Sequence, residues 1–395
     1  MSELTLAPRK QKLWRLFIMP VLLLVAAIAW SAFWFYAASK VDESADAWRA
    51  REAKSGRVYE CAKRSLAGFP FRFEVSCSGA SVALLSQAAG ASQAPITARL
   101  GEILVVAQVY DLKLLIAEFT APATISGPDQ LSLMVNWSKA RSSIVGLPAA
   151  PQRAAIVFDD PAIDRVNASV QTPLARARHV ELHARFADGS AQDHPVIETA
   201  LQIAGGSLQE LHPLLAQPFD ADVRTLLTGL QDFSPKPWPE RFREIQAAGG
   251  HVEIVQSRIA QGDLIAVAAG TLGLNAGGRI EGELQMTVAG IEQVIPALGI
   301  DKMLQDGVPQ ATLDRVAPGV KTQDLNNLFG ALNRAVPGLG NVVKQNANVG
   351  VAAGINALGK EAMLEGKKAR AFPLRFADGA VFLGPLKVGQ VPPLF

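Results

Sequence analysis

The chain has 395 residues, long enough for more than one domain, with 49% apolar and only 19% charged residues, below the ~25% charge of ordinary soluble domains. Lys plus Arg number 38 against 36 Asp plus Glu, and setting aside Glu3, Arg9, Lys10, Lys12 and Arg15 leaves 34 basic and 35 acidic residues. A near-neutral body has no field to hold nucleic acid, which excludes that partner class.

Residues 1–15 read as a cytoplasmic stub. Leu16 to Ala38 then runs for 23 residues without a charge. At ~1.5 Å per helical residue it reaches about 34 Å, enough to cross a ~30 Å hydrocarbon core. Arg9, Lys10, Lys12 and Arg15 precede it, so the positive-inside rule places the N-terminus in the cytoplasm. Trp30, Phe33, Trp34, Phe35 and Tyr36 cluster at its far end, where amphipathic rings favour the headgroup layer. The run is too long for a signal-peptide core, and only the weak Ala37-Ala38-Ser39 follows as a cleavage site. Pro20 falls near the first turn, where few amide partners are lost. The expectation is a single-pass inner-membrane protein with its bulk in the periplasm.

Residues 39–56 read as a polar helical stalk over Val41 to Ser55, capped by Asp42 or Ser44, with Trp48 packed on the domain above and Gly56 at its end. Next, Gly56 to Cys77 reads GRVYECAKRSLAGFPFRFEVSC. Phe71, Phe73, Val75 and Cys77 alternate with Arg72, Glu74 and Ser76, the period of a half-buried strand. Ala67-Gly68-Phe69-Pro70 supplies a turn that makes Cys61 and Cys77 face each other across a hairpin. In an oxidising compartment this lone pair of cysteines reads as a disulfide; its spacing suits neither a metal pair nor a redox CxxC centre.

The anchor, then Gly56-x-x-Tyr59-x-Cys61, then Gly68-x-Pro70-Phe71-Arg72-Phe73-x-Val75-x-Cys77, resembles an uncharacterised family of alphaproteobacterial envelope proteins, domain of unknown function 2125. The ending, Phe372-Pro373-Leu374-Arg375-Phe376 through Asp378-Gly379-Ala380-Val381-Phe382-Leu383-Gly384-Pro385-Leu386, is similar to that family's ending. The resemblance frames about Trp14 to Leu394. It implies kinship and an envelope setting; it brings no activity and no catalytic residues.

From about Ile96 to Ile203 successive strands are expected. Leu131, Leu133 and Val135 alternate with Ser132, Met134 and Asn136; Val180, Leu182, Ala184 and Phe186 with Glu181, His183 and Arg185; and Ile197, Thr199, Leu201 and Ile203 with Val196, Glu198, Ala200 and Gln202. Without helices between them, such strands imply an antiparallel meander with one apolar face. Helical spacing is read over Ser207 to Leu215 and Asp220 to Phe233, with Val223, Leu226, Leu227 and Leu230 on one stripe, and again from Glu240 to Ala248. Strands resume over His251 to Gly290, where Ile280, Gly282, Leu284, Met286 and Val288 alternate with polar residues. Residues 291–368 read as mostly helical, with a stripe from Leu325 to Val336, and strands return from Phe372 to Val388. The repeat of Arg185-Phe186-Ala187-Asp188-Gly189 as Arg375-Phe376-Ala377-Asp378-Gly379 suggests two β-rich halves, about 57–206 and 249–395, trailed by helices 207–248 and 291–368.

Catalytic patterns are scarce. His179-Val180-Glu181-Leu182-His183 lacks the order of a zinc-protease helix, and a solvated polar strand face is preferred. Asp159-Asp160-Pro161 reads as a turn, and no G-x-S-x-G elbow or phosphate loop is present. His194, His212 and His251 complete the five histidines. No catalytic, cofactor or metal residues are therefore assigned, and an enzyme is not expected. The expected fold is a β-rich α+β domain, residues 57–395: curled antiparallel sheets covered by helices and lined by an apolar groove. Phe71, Phe73, Leu131, Leu133, Val135, Leu182, Phe186, Leu284 and Met286 are its candidate face. The expected role is a non-catalytic module holding a lipid or another hydrophobic ligand. The alternative is a scaffold whose outer surface docks an envelope protein.

Overall fold

The structure, a computed structural model, describes residues 14–85, 95–128, 131–147, 151–167, 170–190, 194–210, 213–232, 236–291, 359–383 and 386–395. Helix α1 (Trp14–Lys54) is one uninterrupted rod of 41 residues, with Pro20 inside it. The expected anchor and stalk are therefore a single helix. No Gly or Pro separates Ala38 from Val41, and Ser39 and Lys40 bond within the helix, to the Tyr36 carbonyl and to Glu43. Gly56, at φ 76°, ends the rod. Its N-terminal half is long and apolar enough to cross a membrane.

The rest is one antiparallel sheet taken almost strictly in chain order. The strands are β1 (Arg57–Ala67), β2 (Arg72–Leu84), β3 (Ile96–Gln108), β4 (Asp111–Ser126), β5 (Ser132–Asn136), β6 (Lys139–Val145), β7 (Arg153–Asp159), β8 (Ala162–Asn167), β9 (Val170–Arg176) and β10 (His179–Phe186). There follow β11 (Ile197–Leu208), β12 (Phe219–Leu227), β13 (His251–Gln261), β14 (Leu264–Leu274), β15 (Ile280–Ala289), β16 (Lys360–Leu364), β17 (Lys367–Ala377), β18 (Ala380–Leu383) and β19 (Leu386–Gln390). β5 and β6 both pair with β4, β7 pairs with β6 and β8 with β5, and β10 and β9 both pair with β11. Each of these couples is thus one long chain pass, interrupted in the middle.

The interruptions line up. The ladder skips Ala62, Gly79, Gly101, Ala121-Pro122, Trp137-Ser138, Asp160-Pro161, Ala177-Arg178 and Gly205 on eight adjacent passes. Gly79, Asp160 and Gly205 have φ of 63°, 50° and 61°, and Pro122 has no N–H to give the ladder. The seam is stitched by single bonds, Ser138 N to Asp159 O (2.9 Å), Asp160 N to Arg178 O (2.8 Å) and Arg178 N to Ala204 O (2.9 Å). Such irregularities bend strands and sharpen twist.

The expected helices at Ser207 to Leu215 and Asp220 to Phe233 are not formed. β11 runs on to Leu208, a single 3-10 turn occupies Pro213–Ala216, and β12 fills Phe219–Leu227. β12 is held on both sides, by β11 and β13, and its period-two apolar set (Phe219, Ala221, Val223, Thr225, Leu227) outcompetes the helical stripe. Within 207–248 the described α-helix is α2 (Trp238–Ala247). Of the expected 291–368 helices, residues 292–358, including the stripe from Leu325 to Val336, lie outside the described residues. Residues 360–364 and 367–368 are strand.

Candidate functional site

Pairing registers place side chains on faces, because directly opposed residues share one. One row runs Leu66, Val75, Val105, Ala117, Ser142, Ile156, Leu182, Leu201, Val223, Ser257, Ala268, Met286, Phe372. It crosses every chain pass from β1 to β17 without a charge. The adjacent row on the same face runs Phe73, Ala107, Leu115, Ile144, Ala154, Ala184, Thr199, Thr225, Ile254, Gly270, Leu284, Leu374, Leu383, again uncharged. Most of these side chains are only half-buried; Leu182 is 41% exposed. Among the described residues no second sheet packs on this face.

Beyond the seam the same face continues. Cys61 and Cys77 are bonded, with Cα atoms 5.6 Å apart. They are not directly opposed: Cys61 faces Ala80 and Cys77 faces Arg64. The skipped Ala62/Gly79 step flips the alternation, so the bridge spans the seam diagonally on the apolar side. Past it, Val135 lies opposite Ala123 and Leu133 opposite Ile125. Arg165, opposite Leu133, is a charged exception and pairs with Glu210.

α1 lies along this face over β1 and β2. Its Trp34 ring stacks on Phe73 at 5.4 Å between centroids, and its indole N–H donates to the Arg72 carbonyl at 3.1 Å. Trp34, Ala38 and Phe73 form the buried cluster, flanked by Ala37, Val41, Leu66 and Val109. Further up, Arg64 pairs with Asp46 at 2.7 Å, Trp48 lies on Tyr59 at 4.7 Å, and Arg57 meets the buried Glu52 at 2.6 Å. Trp48 thus packs on the sheet as expected. The helix is a wall at one margin of the face and covers edge strand β1.

The opposite face is mixed, with Leu104, Val106 and Ile116 on β3 and β4. On β10 and β11 it shows His179, Glu181, His183, Arg185, Glu198 and Gln202. His179 Nδ1 lies 2.7 Å from Asp159, and His183 Nε2 bonds Glu181. The hydrogen bond with Asp159 raises the His179 pKa above the ordinary imidazole value; the bond with His183 holds Glu181 below the usual carboxylate range. Among the described residues no group of three or more His, Cys, Asp or Glu side chains is arranged to hold a metal ion.

Of the sequence-chosen face residues, Phe73, Leu182, Leu284 and Met286 fall on the two rows above. Phe186, opposite Ile197, ends β10 on the same side, and Leu131, Leu133 and Val135 lead into and along β5. Phe71 is different: it lies in the β1–β2 turn, 65% exposed, 6.4 Å from the Trp30 ring. Sequence reasoning missed the faces of β3, β7, β12 and β13. Ala154 to Phe158 is a continuous apolar run and Val223 to Leu227 fits a helical period as well, so neither stretch declares its face, and the docking of Trp34 on Phe73 has no local signal.

A family model described as an uncharacterized protein conserved in bacteria (DUF2125) matches residues 34–392. No curated protein matches the chain.

Proposed function

We propose, from the premise that this chain belongs to the DUF2125 family of uncharacterized bacterial proteins, that it is a non-catalytic, membrane-anchored module holding a lipid or another apolar chain against its sheet. On this reading α1 anchors it in the inner membrane with the N-terminus cytoplasmic and the sheet periplasmic, an orientation supported by the cations before Leu16. The observation that carries the reading is the pair of uncharged rows running without a break from β2 to β17. A face of this extent is far larger than single exposed apolar residues on an ordinary surface, and such patches mark binding sites. Its side chains are half-buried with no second sheet on them among the described residues, as on the inside of a bend, where neighbours screen one another. An acyl chain laid there gains roughly 0.8 kcal/mol per CH2 withdrawn from water.

A photoreactive phenylalanine analogue at Leu182 tests this in intact membranes. A phospholipid adduct at Leu182, absent when the analogue replaces His183 on the opposite face, is the expected result. Adducts at neither position, or equally at both, would remove the reading. A protein adduct at Leu182 alone would turn the face into a docking surface for an envelope partner.

A further inference from the structure

Two adjacent hairpin tips lie beside the aromatic far part of the apolar stretch of α1. The β1–β2 tip is Gly68-Phe69-Pro70-Phe71, with Phe69 50% and Phe71 65% exposed. The β3–β4 tip carries Tyr110, 82% exposed, and Leu112, 47% exposed. Val109 N donates to the Phe71 carbonyl at 3.0 Å, which joins the two tips. The first tip is fixed to the helix: Trp30 donates to the Pro70 carbonyl at 2.9 Å, and the Phe69 ring lies 5.5 Å from Trp34 and 6.0 Å from Phe35.

Helical rise sets the depth. From Leu16, Trp30 is about 21 Å and Trp34 about 27 Å along the axis, against a hydrocarbon core of ~30 Å. The tip, bonded to the Trp30 indole and packed on the Trp34 ring, is therefore about 3–9 Å inside the outer edge of that core. Large rings exposed to water in a soluble setting suit the interface, where amphipathic aromatics concentrate. Asp111 and Lys113, exposed beside Tyr110, match a headgroup layer and not the core.

We propose that the Phe69–Phe71 and Tyr110–Leu112 tips are seated at the boundary between the hydrocarbon core and the headgroup layer of the bilayer that α1 crosses, so that the apolar face starts at the leaflet itself. The inference rests on the reading of α1 as the anchor, and it makes the ligand a lipid drawn directly from that leaflet.

The full chain in phosphatidylethanolamine–phosphatidylglycerol vesicles, spin-labelled singly at Tyr110→Cys, Phe71→Cys or Glu102→Cys, gives the test. Cys61 and Cys77 stay bonded and unlabelled. Oxygen, which partitions into lipid, is expected to relax the Tyr110 and Phe71 labels several-fold more, relative to a water-soluble nickel complex, than the Glu102 label on mid-β3. A ratio at Tyr110 equal to that at Glu102 overturns the proposal. Tyr110 packs on nothing that the fold needs, so this variant decides even where Phe71→Cys fails to fold. Lipid-seated tips without an adduct at Leu182 would sink the carrier reading and leave the seat intact; an adduct with water-exposed tips would do the reverse.

Discussion

Trp34 joins helix to sheet. It is 4% exposed, against Phe73 at 2%. Removing its ring opens a cavity and frees the Arg72 carbonyl, so Trp34→Ala should cost about 3–5 kcal/mol. Hydrogen exchange is expected to show the 68–73 turn losing protection before the rest of the sheet. The Cys61–Cys77 bond closes a loop of 16 residues; in the chain-entropy model Cys77→Ser lowers stability by roughly 3 kcal/mol, measurable as an earlier denaturant midpoint that reducing agent no longer shifts. On the opposite face of the sheet, His179 has its pKa raised by Asp159, so it stabilises the fold below its unfolded pKa, and that contribution is lost as pH rises through the raised value. Glu181 has its pKa lowered, so its contribution holds above the ordinary carboxylate range and is lost as pH falls through the lowered value. Asp159→Asn is expected to bring the His179 titration down, read by proton NMR of its ring; an unmoved titration would refute the coupling.

At the scale of elements, strands with a clean period of two were legible: Leu133-Val135, Leu182-Phe186 and Leu284-Met286 took the positions their alternation implied. β12 was not, because Val223, Leu226, Leu227 and Leu230 satisfy a helical period as well, and only pairing with β11 and β13 decides between them. The seam was illegible for a related reason. Its residues, from Gly79 to Gly205, look like ordinary turn residues one at a time, and their alignment exists only across the ladder. Gly79 shows the demand most directly: at φ 63°, an added Cβ would lie 3.0 Å from that of Ala62. Gly79→Val should therefore cost about 1–3 kcal/mol. Gly101→Ala, whose methyl meets nothing nearer than the Thr120 carbonyl at 3.9 Å, is expected to be close to neutral. Equal thermal midpoints for the two variants would show that the seam imposes no backbone constraint.

Across the whole molecule, the long apolar N-terminal helix, the disulfide and a β-rich body were readable because each rests on local pattern. The way helix and sheet join was not, since Trp34, Phe69 and Phe73 are distant in the chain. That junction has a mechanical corollary. From Trp30 to Lys54 the rod extends about 36 Å beyond the tip contact, and it is clamped to β2 at Trp34 and to β1 at Asp46, Trp48 and Glu52. A lean of about 20°, usual for spanning helices adapting to a thin membrane, would swing its top sideways by about 12 Å and carry the sheet with it. On the anchoring proposed above, membrane thickness thereby becomes an input that steers which way the far end of the sheet points.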